Sequence, residues 1–186
     1  WLLAGAGAAA VFVVVYISFM GYAGDRVTAW LHPELDPGDT GYQILQSLYA
    51  IGSGGLFGLG YGKSRQKYLY LPFQYNDYIF AVICEELGLV GAMAIVALFA
   101  VTILRGYWIA LNARDRFSTV LAAGLVTLIA VQTILNLCVV TNLLPSTGIA
   151  LPFFSYGGTA LAVNLGEMGI VLGISRGRNR RKIQEA

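Results

Sequence analysis

The chain has 186 residues, of which 57% are hydrophobic and 12% charged, with a net charge of +2. Soluble domains run near about 25% charged and roughly 45–50% apolar residues, so this composition excludes a disordered chain and argues against an ordinary soluble enzyme. So small a net charge gives no argument for nucleic acid. Cys84 and Cys138 both lie inside apolar stretches and make neither a disulfide framework nor metal-ligand spacing, and His32 has no Cys or His nearby.

A membrane-spanning helix needs about 20 mostly apolar residues. Residues 1–22 carry no charge and qualify; Ala4, Gly5, Ala6, Gly7 and Ala8 give that helix a small-residue face suited to packing on other helices. Trp1 opens on an apolar run with no initiator Met, basic n-region or cleavage site, which reads as part of a longer protein rather than as a signal peptide. A large loop, 23–77, follows, turned by Pro33, Pro37 and Gly38. Within it, 41–61 is apolar but carries Gly41, Gly52, Gly54, Gly55, Gly58 and Gly60, too many for a stable spanning helix, so an interfacial or re-entrant segment is expected. Residues 78–104 predict a second transmembrane helix, 118–141 a third and 159–175 a fourth, joined by a cytoplasmic loop 105–117 and an extracellular re-entrant loop 142–158, with a basic cytoplasmic tail at 176–186.

Orientation follows from lysine and arginine in the short connections. Arg105, Arg114, Arg116, Arg176, Arg178, Arg180, Arg181 and Lys182 belong on the cytoplasmic side. In the loop 23–77 the acids Asp25, Glu34, Asp36, Asp39 and Asp77 outnumber Arg26, Lys63, Arg65 and Lys67, so that loop faces outward. The expectation is an all-α polytopic membrane protein: one membrane domain over 1–186, with four transmembrane helices and a large extracellular loop holding short interfacial helices.

Chemistry-bearing residues gather in three places. Asp77 stands where an N-cap belongs before the helix from residue 78, and it is also a carboxylate at the membrane boundary, downstream of Lys63, Arg65 and Lys67. Glu85 and Glu86 lie about two turns into the same helix, and residues 77, 81, 85 and 88 would share one of its faces. Such intramembrane acids face protein or water, as anchors or as part of a polar stripe; Glu167 is a similar case. Ser155-Tyr156-Gly157-Gly158 opens the last helix, either as a tight turn with a hydroxyl cap or as a set of free amides for an anion. No Walker loop, GxGxxG before a strand, HExxH or GxSxG is present.

Several of these motifs together resemble the SEDS family (shape, elongation, division and sporulation), its FtsW and SpoVE branch more than its RodA branch. They are Gly41-Tyr42-Gln43, Gln46-Ser47-Leu48, Gly52-Ser53-Gly54-Gly55-Leu56-Phe57-Gly58, Ser64-Arg65-Gln66-Lys67 and Leu71-Pro72. They continue with Asp77-Tyr78-Ile79-Phe80-Ala81, Glu85-Glu86-Leu87-Gly88 and Leu151-Pro152-Phe153-Phe154-Ser155-Tyr156-Gly157-Gly158. The resemblance implies a bundle of about ten spans, of which this chain matches the last four. It also implies a bacterial cytoplasmic-membrane glycosyltransferase that polymerises lipid II into peptidoglycan glycan strands at the outer face. Its essential outer-loop aspartate falls on Asp77, as general base. The lipid pyrophosphate leaving group needs cations, for which Lys63, Arg65 and Lys67 are the chemical candidates. With Gln66, Glu86, Ser155, Tyr156, Gly157 and Gly158 they form the candidate substrate-binding set.

No cofactor is certain, and the pyrophosphate leaves room for a divalent cation. The implied partners are lipid II, the growing lipid-linked glycan strand, a class B penicillin-binding transpeptidase and membrane lipids. The sequence departs from the family at Pro72-Phe73-Gln74-Tyr75-Asn76-Asp77, where many members carry an acid after the proline, so no second carboxylate stands in this stretch. Two other readings remain: a lipid II flippase, whose critical charges would lie near mid-membrane, and a non-catalytic scaffold for the transpeptidase, for which Asp77 would be dispensable.

Overall fold

The computed structural model describes residues 21–35, 40–64 and 77–184, with side chains of the last helix described through residue 177. The span expected over 1–22 and the stretch 65–76 lie outside the described residues, apart from Gly21 and Tyr22. The order is α1 (Gly21–Leu31), a 3-10 turn (Pro33–Leu35), α2 (Thr40–Ser53), α3 (Ile79–Leu111), α4 (Arg116–Val140) and α5 (Gly158–Gln184). No strand occurs among the described residues. Among them, three helices are long and apolar enough to cross a membrane: Ile79–Leu111, Arg116–Val140 and the first 20 residues of α5, Gly158–Gly177. The chain is an all-α polytopic membrane protein.

The boundaries move in ways the side chains explain. The second span continues past residue 104 to Leu111, because Trp108, Ile109 and Ala110 keep the helix apolar and the Arg105 guanidinium lies 4.3 Å over the Trp108 ring. The expected loop 105–117 therefore shrinks to residues 112–115. Asp115 caps α4, accepting from the Ser118 amide at 2.9 Å and the Ser118 hydroxyl at 2.8 Å; those bonds hold its carboxyl below the ordinary value. The tail beyond residue 175 does not leave the helix, and α5 runs to Gln184. The 14 residues of α2 make a helix of about 21 Å, short of the roughly 30 Å hydrocarbon thickness, so the apolar segment 41–61 does not cross alone.

A short connection makes α3 and α4 an antiparallel pair. At the arginine-bearing end, Gly106 lets Val126 approach closely, and Ala110, Ala122, Val126 and Val171 bring α3, α4 and α5 together. At the opposite end a second cluster joins Ala50 of α2, Phe80, Val82 and Phe99 of α3, Val140 of α4 and Leu151 of the loop before α5. Polar bonds tie the same end. The Ser47 hydroxyl donates to the Val140 carbonyl at 2.9 Å, and Trp30 Nε1 donates to the Asn142 carbonyl at 3.0 Å.

Candidate functional site

The long apolar helix α3 is broken. Gly88 adopts φ 69, ψ −170, outside helical geometry, so residues 79–87 and 89–111 are two helices in sequence. A break inside a membrane leaves backbone groups without partners, and a neighbouring segment must supply them. The glycine-rich loop 54–60 does so. Leu59 and Gly60 amides donate to the Glu85 and Glu86 carbonyls at 2.9 and 3.0 Å, and the Leu89 and Val90 amides donate to Gly55 and Leu56 carbonyls at 2.9 and 3.2 Å.

The fit leaves no room for a β-carbon. One on Gly54 would stand 2.0 Å from the Cys84 oxygen, one on Gly58 2.2 Å from the Glu86 oxygen, and one on Gly88 2.3 Å from the Gly58 nitrogen. Two sequence motifs read separately, the glycine run and Glu85-Glu86-Leu87-Gly88, are thus two halves of one joint. The expected face of residues 77, 81, 85 and 88 is a continuous helix face only as far as Glu85, because the helix ends before Gly88.

Both acids of the joint are buried. Glu85 is 1% exposed and accepts a hydrogen bond from the Ser64 hydroxyl, itself buried. Glu86 is buried with Oε1 lacking a hydrogen-bond partner among the described residues, as is Oε2 of Glu167 on α5. Lys63, next to Ser64, is exposed, and its amide donates to the Gly60 carbonyl at 3.1 Å. Arg65, Gln66 and Lys67 lie outside the described residues.

Asp77 stands directly before α3, and it does not cap the helix. The N-cap position is Tyr78, at φ −105, ψ 15, with no side-chain capping bond, so the cap expectation is overturned: the helix starts one residue later than the apolar pattern indicates. The carboxylate is instead turned toward the loop before α5, with Oδ2 3.5 Å from where a β-carbon on Gly148 would be. Burial raises the Asp77 carboxyl above its ordinary value, and the charge of Arg26 pulls it down. Burial, with the negative charge of Asp77, pushes the neighbouring Tyr78 phenol up to about 12 against the opposing effect of Arg26. Its hydroxyl is buried without a hydrogen-bond partner among the described residues.

Arg26 comes from α1 and is fixed by donating from Nη1 to the Ser146 carbonyl at 2.9 Å. Asn136 on α4 donates from Nδ2 to the backbone carbonyls of Asp77 and Ile149, at 2.7 and 2.8 Å. Sequence reasoning missed both residues. Arg26 is 51 positions from Asp77, which no local pattern encodes. Asn136 carried a usable signal, since a polar side chain in an otherwise apolar span marks an interior contact.

In the last loop Ser155 Oγ accepts from the Leu151 amide at 2.7 Å, closing a tight turn, and the Leu161 amide already bonds to the Gly157 carbonyl. The expected tight turn is present, and its hydroxyl accepts from an amide upstream of α5 rather than from the first turn of that helix. Tyr156 is 83% exposed, and Gly158 starts α5. A small apolar recess of about 100 Å³ lies between Leu98, Phe99 and Thr102 of α3 and Phe153 and Phe154 of this loop. Among the described residues no group of three His, Cys, Asp or Glu side chains comes together.

Fold and site define a polytopic helical membrane protein with a half-buried carboxylate and an arginine near the start of a glycine-packed broken helix. The FTSW_RODA_SPOVE family model, described as a cell cycle protein, matches residues 1–180. The chain belongs to that family. Stage V sporulation protein E of Bacillus subtilis (strain 168) is 50% identical over 151 residues, 81% of this chain and 41% of that protein. Probable peptidoglycan glycosyltransferase FtsW of Trichlorobacter lovleyi is 45% identical over 166 residues, 89% of this chain and 44% of that protein.

Among solved structures, a chain from work on the structural coordination of polymerization and crosslinking by a peptidoglycan synthase complex matches with a TM-score of 0.76. It is 30% identical, with 95% of this chain and 49% of that one covered. An aspartate-to-alanine mutant of the rod shape determining protein RodA of Thermus thermophilus matches at 0.56, with 32% identity over 71% of this chain and 40% of that one. The chain spans a little under half the length of these relatives.

Proposed function

We propose that this chain is the base-bearing part of a lipid II-dependent peptidoglycan glycosyltransferase. Asp77 takes the proton from the acceptor sugar hydroxyl as that oxygen attacks the anomeric carbon of the lipid-linked donor. The bond from the anomeric carbon to the phosphate oxygen breaks, and the polyprenyl pyrophosphate leaves with the electron pair. The observation that carries this reading is the state of Asp77: a half-buried carboxylate, raised by burial, that the fold does not use as a helix cap. A base with a raised pKa accepts a proton better, provided it is ionised at the working pH. Arg26 keeps it ionisable and adds positive charge near the reacting groups.

The names of the relatives support the reaction class. The charge pattern of the connections supports an outward-facing site in a bacterial cytoplasmic membrane. The recess by Phe99 and Phe154 suits a lipid chain, and a divalent cation on the pyrophosphate is compatible with the step. A penicillin-binding transpeptidase is the proposed partner, in keeping with a relative solved in a peptidoglycan synthase complex.

The test uses the full-length parent, purified with its partner and given labelled lipid II. Asp77→Asn keeps the shape and removes the base, and glycan polymer should fall by at least about a hundredfold. Equal polymer from both proteins would remove Asp77 from the chemistry. A second reading, transport of the lipid-linked precursor, draws on the unpartnered Glu86 oxygen beside a helix break, since discontinuous helices line the paths of many transporters. It predicts lipid II translocation into vesicles that survives Asp77→Asn and is lost in Glu86→Gln.

A further inference from the structure

Asn136 is 1% exposed, one turn before the end of α4. Both of its good hydrogen bonds leave from the same amide nitrogen, one to the backbone of Asp77 and one to the backbone of Ile149. Ile149 follows Gly148, the residue that faces the Asp77 carboxylate. Gly148 itself has φ +71, a conformation that brings the loop backbone against Asp77 without a side chain between them. The Asn136 oxygen, meanwhile, is buried without a hydrogen-bond partner among the described residues. Two carbonyls demand a double donor, which fixes the amide orientation and leaves the oxygen aside. An unpaired buried acceptor weakens a fold, so the residue fits a positional task better than a packing one.

We infer that Asn136 is a positioning residue for Asp77: its amide clips the start of α3 to the loop 142–157 and so sets how deeply the carboxylate sits. This rests on the reading of Asp77 as the base. Among the described residues, the charged or titratable groups acting on Asp77 are Arg26 of α1 and the adjacent Tyr78; α4 contributes the neutral Asn136 and the loop contributes backbone. Releasing the clip admits water to Asp77. Its carboxyl then moves down toward the ordinary value, because burial is the largest influence raising it.

The test compares the full-length parent with Asn136→Ala by hydrogen exchange and by polymerisation rates across the acidic range. Expected is faster exchange confined to the peptides around residues 77–82 and 147–152. With it, kcat should fall about tenfold or more with KM little changed, and the acidic limb of the pH profile should move to lower pH. Exchange unchanged in those peptides, or raised uniformly along the chain, overturns the clip. So does a lowered kcat with an unmoved limb. Asn136→Gln, which keeps both N–H groups on a longer arm, carries the same readouts if the alanine variant does not accumulate. Should Asp77→Asn polymerise like the wild type, the function reading fails, while the exchange result still decides whether Asn136 holds the two segments together.

Discussion

The helix break lies within α3 and Asp77 stands just before that helix, about three turns earlier in the chain, and the two regions are held by different means. The break is closed by backbone on backbone: four amide–carbonyl bonds between the loop 54–60 and α3, at a separation only glycine permits. The region around Asp77 is tied by side chains reaching backbone carbonyls: Arg26 to Ser146, Trp30 to Asn142, Asn136 to Asp77 and Ile149. A backbone joint has no adjustable part and serves as a fixed support. Side-chain ties can be altered one at a time, so the charge and depth of a carboxylate can be tuned there. The proposed chemistry sits in the tunable region.

The sharpest way to break this contrast is to put a β-carbon into the joint. Gly88→Ala would place a methyl 2.3 Å from the Gly58 nitrogen and 2.6 Å from the Leu56 oxygen, at a positive φ, and Gly58→Ala would collide with the Glu86 carbonyl. Neither neighbour is a side chain that can rotate away. Both variants should fail to accumulate in the membrane or lose their cooperative melt altogether, a loss of about 4 kcal/mol or more. Near wild-type yield and melting for either variant would mean that the loop 54–60 does not seat in the break.

The region around Asp77 should respond in degree. Arg26 lowers the Asp77 carboxyl against the effect of burial. Arg26→Gln removes that charge, so the Asp77 pKa rises further above its ordinary value. The base must be ionised to act, so the acidic limb of the polymerisation profile should move to higher pH, with the loss of rate concentrated in the acidic range and little change in melting. Arg26→Lys keeps the charge and gives up the planar donor to Ser146; it should leave the limb near its wild-type position. A limb moved equally by both variants would assign the effect to the hydrogen bond rather than to the charge.

The two regions also differed in how legible they were. The apolar runs of α4 and α5 are long, so pattern alone set the starts of these helices within a few residues. The break was hidden because a single glycine in a long helical pattern signals nothing about φ. Its mate lies about thirty residues upstream, where the excess of glycines was evident but not its purpose. Asp77 stands out by its position and by family resemblance, while its local reading as a helix cap fails: the apolar pattern begins at Tyr78, whereas the helix begins at Ile79. Arg26 and Asn136 reach it through tertiary contacts that no spacing rule contains.

The smallest expected effect tests the contrast most finely, because two glycines two positions apart should answer in opposite senses. Gly52 lies in the last turn of α2, exposed, with no atom within 4 Å of where its β-carbon would be. Glycine in a helix is destabilising by roughly 0.5–1 kcal/mol relative to alanine, through the freedom it has in the unfolded chain. Gly52→Ala should therefore raise the melting temperature slightly and leave polymerisation unchanged. Gly54 enters the joint, where a β-carbon meets the Cys84 oxygen at 2.0 Å, and Gly54→Ala should lower melting sharply. If the joint is a seam of backbone contact rather than a general preference for small residues, the boundary between tolerance and collapse falls between these two positions. A graded response across both would point to helix propensity alone, and a rigid support for Asp77 would then have to be sought elsewhere.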